Sequence, residues 1–369
     1  MLIPLIAAAA LSIAADCDLE APDGSAGCVR EQVDALPMNR LQAVGTHNSY
    51  KLAIASKEMA LLRAVAPDMA VGLDYAHPPL ADQLAAGARQ LELDLFYDPE
   101  PGRYARPLGQ RMAAGTDPYD APELSQAGLK VMHVQDIDYR SSCRLFTDCL
   151  RQVADWSKAH PSHVPILILL NLKEGEALPA PGAVAPLAFD AAAMDQVDGE
   201  IRSVFGPEAL ITPDEVQGDA ASLRAAVSEG GWPTLGAARG RVMFALDAPR
   251  HQVDLYRGAR RSLEGRAAFV NIAEDEDAAA YITLNEPIEQ QDRIAAALAQ
   301  GLIVRTRADA DTVEARSGET TRRDAALASG AQYVSTDYMT PDVRFSDYRV
   351  VLPGERAARL APQSGARSE

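Results

Sequence analysis

Histidine, carboxylate, amide and basic side chains recur at the ends of short apolar runs in this sequence. Two histidines can serve as a general base and a general acid, because imidazole titrates near neutral pH. Basic side chains can neutralise the charge that develops on phosphoryl oxygens. Residues of these types could therefore cleave a phosphodiester. The candidates are His47, Asn48, Glu92, Asp94, His133, Asn171, Lys173 and Arg305.

Glu92 and Asp94 stand two residues apart in the apolar run LELDLF. On a β-strand this spacing places both carboxylates on one face and the neighbouring leucines on the other. Burying two negative charges side by side would be costly without compensation. A hard cation such as Ca²⁺ would compensate them, with the amide oxygen of Asn48 as a further ligand.

Each of these residues has a simpler interpretation when taken alone. His47 could be a core histidine bonded to a carbonyl, the Glu92/Asp94 pair could face outward, and Lys173 could be a solvated strand end. However, the groups recur at the same position of successive predicted strands. This recurrence favours one shared site.

Short apolar runs alternate with segments of helical periodicity, which indicates an α/β fold. Continuous runs such as ILILL are typical of parallel strands covered on both faces. Eight units predict a TIM-type (β/α)8 barrel, distorted or regular, in preference to an open doubly wound sheet, and such barrels carry their chemistry at the C-terminal ends of the strands. The predicted helices are DQLAAGA, FTDCLRQVADWSKAH, MDQVDGEIRSVF, IEQQDRIAAALAQ and RRDAALASG, the last ending on a capping glycine. The predicted strands are 41–47, 91–96, 130–134, 164–172, 241–247, 267–272, 302–306 and 332–336.

Composition narrows the classes of partner. The 369 residues are 47% hydrophobic and carry a formal net charge of −17, so the chain can bury a large core and its surface repels polyanions. Nucleic acid is therefore not an expected partner. An anionic substrate would need a local cation, such as a bound metal.

The N-terminal run MLIPLIAAAALSIAA resembles a secretory signal peptide cleaved near Ala15. A short membrane anchor is the alternative, although the run is below the roughly 20 residues that a span requires. Cys17 with Cys28, and Cys143 with Cys149, predict two local disulfides in a secreted or periplasmic protein. We expect a single barrel domain over residues 16–353 and a flexible tail over 354–369.

Several of these motifs together resemble a known family. GTHNSYK, LELDLFYDP, VMHVQDID and LNLKEGE look like the catalytic face of the phospholipase C-like phosphodiesterase superfamily. The resemblance is greatest to its calcium-dependent, phosphoinositide-specific phospholipase C group of exported bacterial proteins. GLIVRTRADADTVEA, RRDAALASGAQYVSTDY and DCLRQVADWSKAHP are similar to that group too, so the resemblance runs from about Leu41 to Tyr338.

The resemblance implies a role for each matching position. His47 and His133 correspond to the two catalytic histidines, and Asn48, Glu92 and Asp94 to calcium ligands. We predict that His133 protonates the departing diacylglycerol oxygen. His47, helped by a carboxylate of the metal site, positions or deprotonates the attacking hydroxyl, and an inositol hydroxyl as nucleophile would give a cyclic phosphodiester first. The implied partner is a phosphoinositide at a membrane surface, acted on by a monomer.

The fourth predicted strand departs from the family pattern. Many relatives have Glu-x-Lys where this chain has Asn171 and Lys173. Asn171 would bind the metal without a negative charge, which should weaken calcium binding unless Glu174 or a water compensates. Lys173, with Arg305, would face the phosphate.

Two other functions stay open at this point. A glycerophosphodiester phosphodiesterase would share the barrel, the Glu-x-Asp pair and both histidines, but its first strand usually carries His-Arg followed by Gly. The long segment 98–128 also suggests a rim shaped for a larger substrate. A barrel that binds phosphoinositide without turnover is the third possibility, kept open by Asn171.

Overall fold

The computed structural model describes residues 13–363. Most of the predicted signal peptide and the last six residues of the predicted tail lie outside the described residues. Among residues 13–363, no helix combines the length and apolarity needed to cross a membrane.

The structure alternates strands and helices along the chain. The strands are β1 (Leu41–Thr46), β2 (Gln90–Phe96), β3 (Lys130–Val131), β4 (Ile166–Lys173), β5 (Leu210–Ile211), β6 (Val242–Leu246), β7 (Ala268–Val270), β8 (Tyr281–Thr283), β9 (Ile303–Arg307), β10 (Tyr333–Thr336) and β11 (Ala358–Leu360). The helices are α1 (Arg30–Asp34), α2 (Ser56–Val65), α3 (Pro67–Gly72), α4 (Leu80–Ala85), α5 (Leu108–Met112), α6 (Phe146–Ala159), α7 (Ala191–Val204), α8 (Pro213–Gln217), α9 (Leu223–Ser228), α10 (Leu235–Ala238), α11 (Arg250–Arg257), α12 (Gln291–Ala299), α13 (Val313–Ser317) and α14 (Thr321–Ala328). Short 3-10 turns cover Met38–Arg40, Pro122–Ser125, Pro207–Ala209 and Pro353–Glu355.

Eight parallel strands form the barrel. Hydrogen-bonded neighbours follow the order β6, β4, β2, β1, β10, β9, β8, and β7 pairs with β6. A single parallel bridge between Asn271 and Tyr281 joins the end of β7 to β8 and completes the ring. The predicted α/β fold of the TIM-barrel type is confirmed, with a weak closure between β7 and β8.

One predicted barrel strand is wrong and one was missed. KVMHV yields only the two-residue β3, which pairs antiparallel with β2 and lies outside the ring. The missing member is β8, three residues long, whose short run gives little periodicity to detect. His133 therefore stands on a loop beside β2 and not at the end of a barrel strand.

The helices cover the barrel through apolar faces. In α6, Phe146, Leu150 and Val153 are buried at helical spacing. The carboxylate of Asp190 accepts the amide of Ala193 at 2.9 Å and caps α7. The predicted glycine after α14 is confirmed as well, because Gly330 adopts a φ of +84°.

Both predicted disulfides are present, each with a Cα–Cα distance of 5.2 Å. Such bonds are typical of proteins that fold in an oxidising compartment. The C-terminal segment differs from the prediction of a tail flexible from residue 354. Residues 358–360 form β11 instead, which pairs antiparallel with β1.

Candidate active site

The end of β1 is held against β2, which sets His47 beside Glu92. The two strands approach so closely that a Cβ added to Gly45 would lie 2.1 Å from the carbonyl oxygen of Gln90, so only glycine fits there. Just beyond β1, the amide of Ser49 donates to the carbonyl of Glu92 at 3.0 Å. The hydroxyl of Ser49 accepts the amide of Glu92 at 2.8 Å.

A second group of side chains surrounds Asp94, which is fully buried. Neither of its carboxylate oxygens accepts a well-formed hydrogen bond, although the ammonium of Lys173 lies 2.8 Å from Oδ2. Asn171 stands opposite Asp94 in the register of β2 with β4. Asn48, at a φ of 49°, donates its amide nitrogen to the hydroxyl of Tyr75 at 2.8 Å. The amide oxygen of Asn48 is thus the atom that could bind a metal.

This donor set fits a hard cation such as Ca²⁺. Asp94 is buried with the ammonium of Lys173 beside it but accepts no well-formed hydrogen bond, so its carboxylate oxygens keep lone pairs for a metal. In residues 13–363 no three His, Cys, Asp or Glu side chains are arranged to hold a metal. The site would therefore combine the carboxylates of Glu92 and Asp94 with the amide oxygens of Asn48 and Asn171.

Arg305 lies deeper than predicted. Its guanidinium is buried, bonds Glu92 Oε2 at 2.7 Å and donates to Asn285 Oδ1 at 2.6 Å. Arg307 points to the same side of β9, because residues two apart share a face, but it is one step nearer the C-terminal end. Arg307 lines the cleft and Arg305 does not. Arg305 therefore neutralises the charge of Glu92 from inside the barrel and does not face the cleft.

His47 is held by a carboxylate that follows β10, the strand paired with β1. Its Nδ1 lies 2.9 Å from Asp337 Oδ1, and its Nε2 lies 3.6 Å from Glu92 Oε1. Burial lowers the pKa of His47 well below its usual value, and the charge of Arg307 lowers it further, so the ring is neutral near pH 7. The ring nitrogen Nε2 of His77 donates to the carbonyl of His47 at 2.8 Å, and burial lowers the pKa of His77 to about 4.

A second acid lies behind Asp337. Asp309 accepts the amide of Asp337 at 2.8 Å and the hydroxyl of Tyr348 at 3.2 Å. Burial and the negative charge of Asp337 raise the pKa of Asp309 to about 7. Burial also raises the pKa of Asp337, whereas Arg307, 3.4 Å from its Oδ2, lowers it. The negative charge of the pair therefore resides on Asp337, next to His47.

His133 follows β3 in a tight turn that supplies its own carboxylate. Asp138 Oδ2 lies 2.8 Å from His133 Nδ1, and the amide of His133 donates to the carbonyl of Asp138 at 3.2 Å. The buried ammonium of Lys51 lies 3.4 Å from the same carboxylate oxygen. This arrangement fixes the ring and leaves Nε2 for chemistry.

One cleft of about 280 Å³ brings both histidines together. Its walls also carry the positive charge of Arg307, and the remaining predicted site residues are not among the side chains that line it. The cleft is lined by His47, Asp68, Met69, Gly72, Leu73, Tyr75, His133, Arg307, Asp311 and Asp337. Two imidazoles and a guanidinium on one cleft can transfer protons at a bound phosphate and neutralise its charge.

Sequence reasoning missed Asp337, Asp138 and Arg307. Two of them carry a detectable signal: Asp337 follows β10 at the C-terminal end of the barrel, and Asp138 belongs to the motif VMHVQDID. Arg307 was missed because it lies one residue beyond the predicted strand, which ended at Thr306.

Comparisons with known proteins identify the family of this chain. The sequence matches the family described as phosphoinositide phospholipase C, Ca²⁺-dependent, over residues 36–362. Among solved structures, it is similar to a calcium-dependent phosphoinositol-specific phospholipase C from a Gram-negative Pseudomonas species (18% identity, TM-score 0.54, covering 89% of this chain and 96% of that chain). A myoinositol complex of the Pseudomonas protein gives 18% identity and a TM-score of 0.53, and covers 89% of this chain and 96% of that chain.

A Ca²⁺-dependent phosphatidylinositol-specific phospholipase C from Streptomyces antibioticus is similar as well (19% identity, TM-score 0.50, covering 82% of this chain and 95% of that chain). No curated protein gives a significant match. The family predicted from the motifs is confirmed, and with it the Ca²⁺ dependence that defines the family. Since the family match spans most of the chain, this protein belongs to the Ca²⁺-dependent phosphoinositide phospholipase C family of phosphodiester-cleaving enzymes.

Proposed function

We propose that this protein cleaves a phosphoinositide between the phosphorus and the glycerol oxygen, releasing diacylglycerol and a cyclic inositol phosphate. The observation that carries the proposal is the pair of imidazoles on one cleft, each bonded through Nδ1 to a buried carboxylate. This arrangement leaves both Nε2 atoms for proton transfer. The Pseudomonas protein with bound myoinositol supports an inositol head group as the ligand.

His47 acts on the attacking hydroxyl. With Nδ1–H donated to Asp337, the neutral ring has a lone pair on Nε2 that accepts the proton of an inositol hydroxyl. The hydroxyl oxygen then forms a bond to phosphorus. Arg307, on the same cleft, neutralises charge on the phosphoryl oxygens.

His133 acts on the leaving group. The carboxylate of Asp138 stabilises the imidazolium, which carries a proton on Nε2. As the bond from phosphorus to the glycerol oxygen breaks, this proton goes to that oxygen, and diacylglycerol departs neutral. The cyclic phosphodiester remains.

Asn48, Glu92, Asp94 and Asn171 would hold Ca²⁺ next to His47. When bound, the ion supplies positive charge to the phosphoryl oxygens and lowers the pKa of the attacking hydroxyl. Lys173 shares this region through Asp94. Burial lowers the pKa of Lys173, but the negative charge of Asp94, together with the charges of Glu92 and Asp247, raises it above its usual value, so the ammonium stays charged.

Asn171 sets the affinity for the ion in this arrangement. Its alternative, Glu174, bonds the ring of His251 instead and is turned to that partner. Asn171→Asp restores a negative charge opposite Asp94. We expect Ca²⁺ to bind about tenfold more tightly, roughly 1.4 kcal/mol, in a calorimetric titration of the variant.

Asn39→Asp is the matched control, because Asn39 precedes β1 at the opposite end of the barrel. It should leave the calcium affinity unchanged. Equal affinities in Asn171→Asp and the unaltered protein would show that residue 171 is not a ligand.

The reaction itself is tested by release of water-soluble phosphate from phosphatidylinositol vesicles, with Ca²⁺ and with a chelator. We expect release with Ca²⁺ and a loss of at least about 100-fold with the chelator, since charge neutralisation at the phosphate is then missing. Release from glycerophosphoinositol alone would instead support a glycerophosphodiester phosphodiesterase. Binding without release from either substrate would support a phosphoinositide-binding barrel.

We also propose that the mature protein acts outside the cytoplasm. The apolar run of residues 1–15 and the two disulfides support export to the periplasm or the medium. A single barrel over residues 16–353, with β11 paired to its first strand, acts there as a monomer on lipid at a membrane surface. The net charge of −17 supports the absence of nucleic acid among its partners.

A further inference from the structure

An apolar cavity of about 430 Å³ opens beside the catalytic cleft. Its volume and its lining are typical of a site for an apolar small molecule. Met69 belongs to both walls, so the cavity and the cleft are adjacent. The cavity lies between α2, α3, α5 and the loop after β4, and is lined by Glu58, Leu61, Leu62, Val65, Ala66, Met69, Leu108, Gly109, Met112, Ile137, Leu178, Pro179 and Ala180.

Exposed apolar side chains concentrate around this cavity. In residues 13–363, eight large apolar side chains are exposed, and three of them line it: Val65 (71%), Met69 (46%) and Met112 (56%). Keeping such a group of apolar side chains in water is unfavourable. An apolar ligand would cover them.

The charged residue among the lining side chains is already neutralised. Glu58 accepts hydrogen bonds from Thr116, Tyr139 and Arg140, each at 2.8 Å. Both carboxylate oxygens are therefore used. The cavity offers no free charge to a ligand and selects for an apolar one.

The cavity also lies on the leaving-group side of the cleft. Ile137, one of its lining residues, belongs to the turn from His133 to Asp138 that fixes the general acid. A substrate whose glycerol oxygen reaches His133 would therefore have its fatty-acid part directed towards Ile137 and Met69.

We propose that this cavity binds an acyl chain of the substrate's diacylglycerol group, drawn from the lipid into the protein. The inference rests on the proposed function, since it requires that His133 protonates the departing diacylglycerol oxygen. The chain's net charge of −17 supports it, because attraction to an anionic bilayer cannot supply the affinity for lipid and apolar contact must do so.

The test uses soluble substrates, so that no membrane surface takes part. The ratio of kcat/KM for monomeric dihexanoyl phosphatidylinositol to that for glycerophosphoinositol is measured in the full-length protein. In both substrates the bond that is cleaved joins phosphorus to the glycerol oxygen. We expect a ratio of at least about ten, because burial of about two methylene groups suffices for that gain.

Two variants change the cavity in different ways. Met112→Gln makes an exposed wall polar, and Ala180→Phe fills the cavity from a loop. We expect each to lower the ratio about fivefold. Leu255→Gln, an exposed leucine on α11 that lines neither cavity nor cleft, should leave the ratio unchanged.

Each other outcome overturns the inference in a recognisable way. An unchanged ratio in both cavity variants shows that the chain binds elsewhere. Variants that alter only hydrolysis of vesicles show that the apolar side chains insert into a bilayer and do not enclose a single chain. A protein that cleaves neither substrate, or glycerophosphoinositol alone, refutes the proposed function and the cavity's role with it.

Discussion

His133→Ala is expected to lower kcat on phosphatidylinositol roughly 10³-fold, which lies within the range that a general acid contributes. The glycerol oxygen is a poor leaving group and must receive a proton as its bond to phosphorus breaks. An inositol phosphodiester of nitrophenol does not need this proton, because nitrophenolate is a stable anion. The same variant should therefore lose less than about tenfold on the nitrophenyl substrate.

The control for this prediction is His160→Ala, which removes an exposed imidazole at the end of α6. Its activity on both substrates should match that of the unaltered protein. Similar losses of His133→Ala on the natural and the activated substrate would reject the acid role of His133.

The barrel could be predicted from the sequence because its longest strands are uninterrupted apolar runs. In β4, residues 166–170 are all buried, so ILILL reports a strand covered on both faces. The closure of the barrel between β7 and β8 could not be predicted in this way. β8 has three residues and joins β7 through one bridge, a contact that depends on distant parts of the chain and leaves no periodic signal.

In the site, too, local contacts could be predicted from the sequence and contacts between distant residues could not. Glu92 and Asp94 could be predicted as neighbours because their spacing alone puts them on one face. The carboxylate that holds His47 could not be predicted as such, since Asp337 follows it by 290 residues and meets it only when β1 pairs with β10. The five-residue spacing of His133 and Asp138 is compatible with a short turn. The spacing alone does not predict that the Asp138 carboxylate contacts the imidazole of His133.

Charge inside the barrel is nearly balanced before any ion binds. Glu92 has Arg305 and Asp94 has Lys173, at 2.7 and 2.8 Å. The contact with Lys173 lacks hydrogen-bond geometry, so Asp94 is the less satisfied of the two carboxylates. A divalent cation therefore gains most from Asp94, and the amides of Asn48 and Asn171 add ligands without adding charge.

Asp337→Asn is expected to reduce kcat by up to about 10⁴-fold, the size of the effect when the carboxylate that orients a catalytic histidine becomes an amide. The amide keeps the shape of the side chain but can present an N–H to Nδ1 of His47. The proton of the ring then moves to Nε2, the atom that must accept the proton of the attacking hydroxyl. Activation of the nucleophile fails with any leaving group, so the loss should be similar on phosphatidylinositol and on the nitrophenyl substrate.

Asp138→Asn provides the matched comparison, because it makes the same change at the other histidine. There the loss should be large on phosphatidylinositol and small on the nitrophenyl substrate, as for His133→Ala. A structural role for Asp337 would lower both the thermal stability and the activity, whereas an orienting role predicts a kcat loss with the midpoint of unfolding nearly unchanged. If the two variants had the same dependence on the leaving group, the division of labour between His47 and His133 would be refuted.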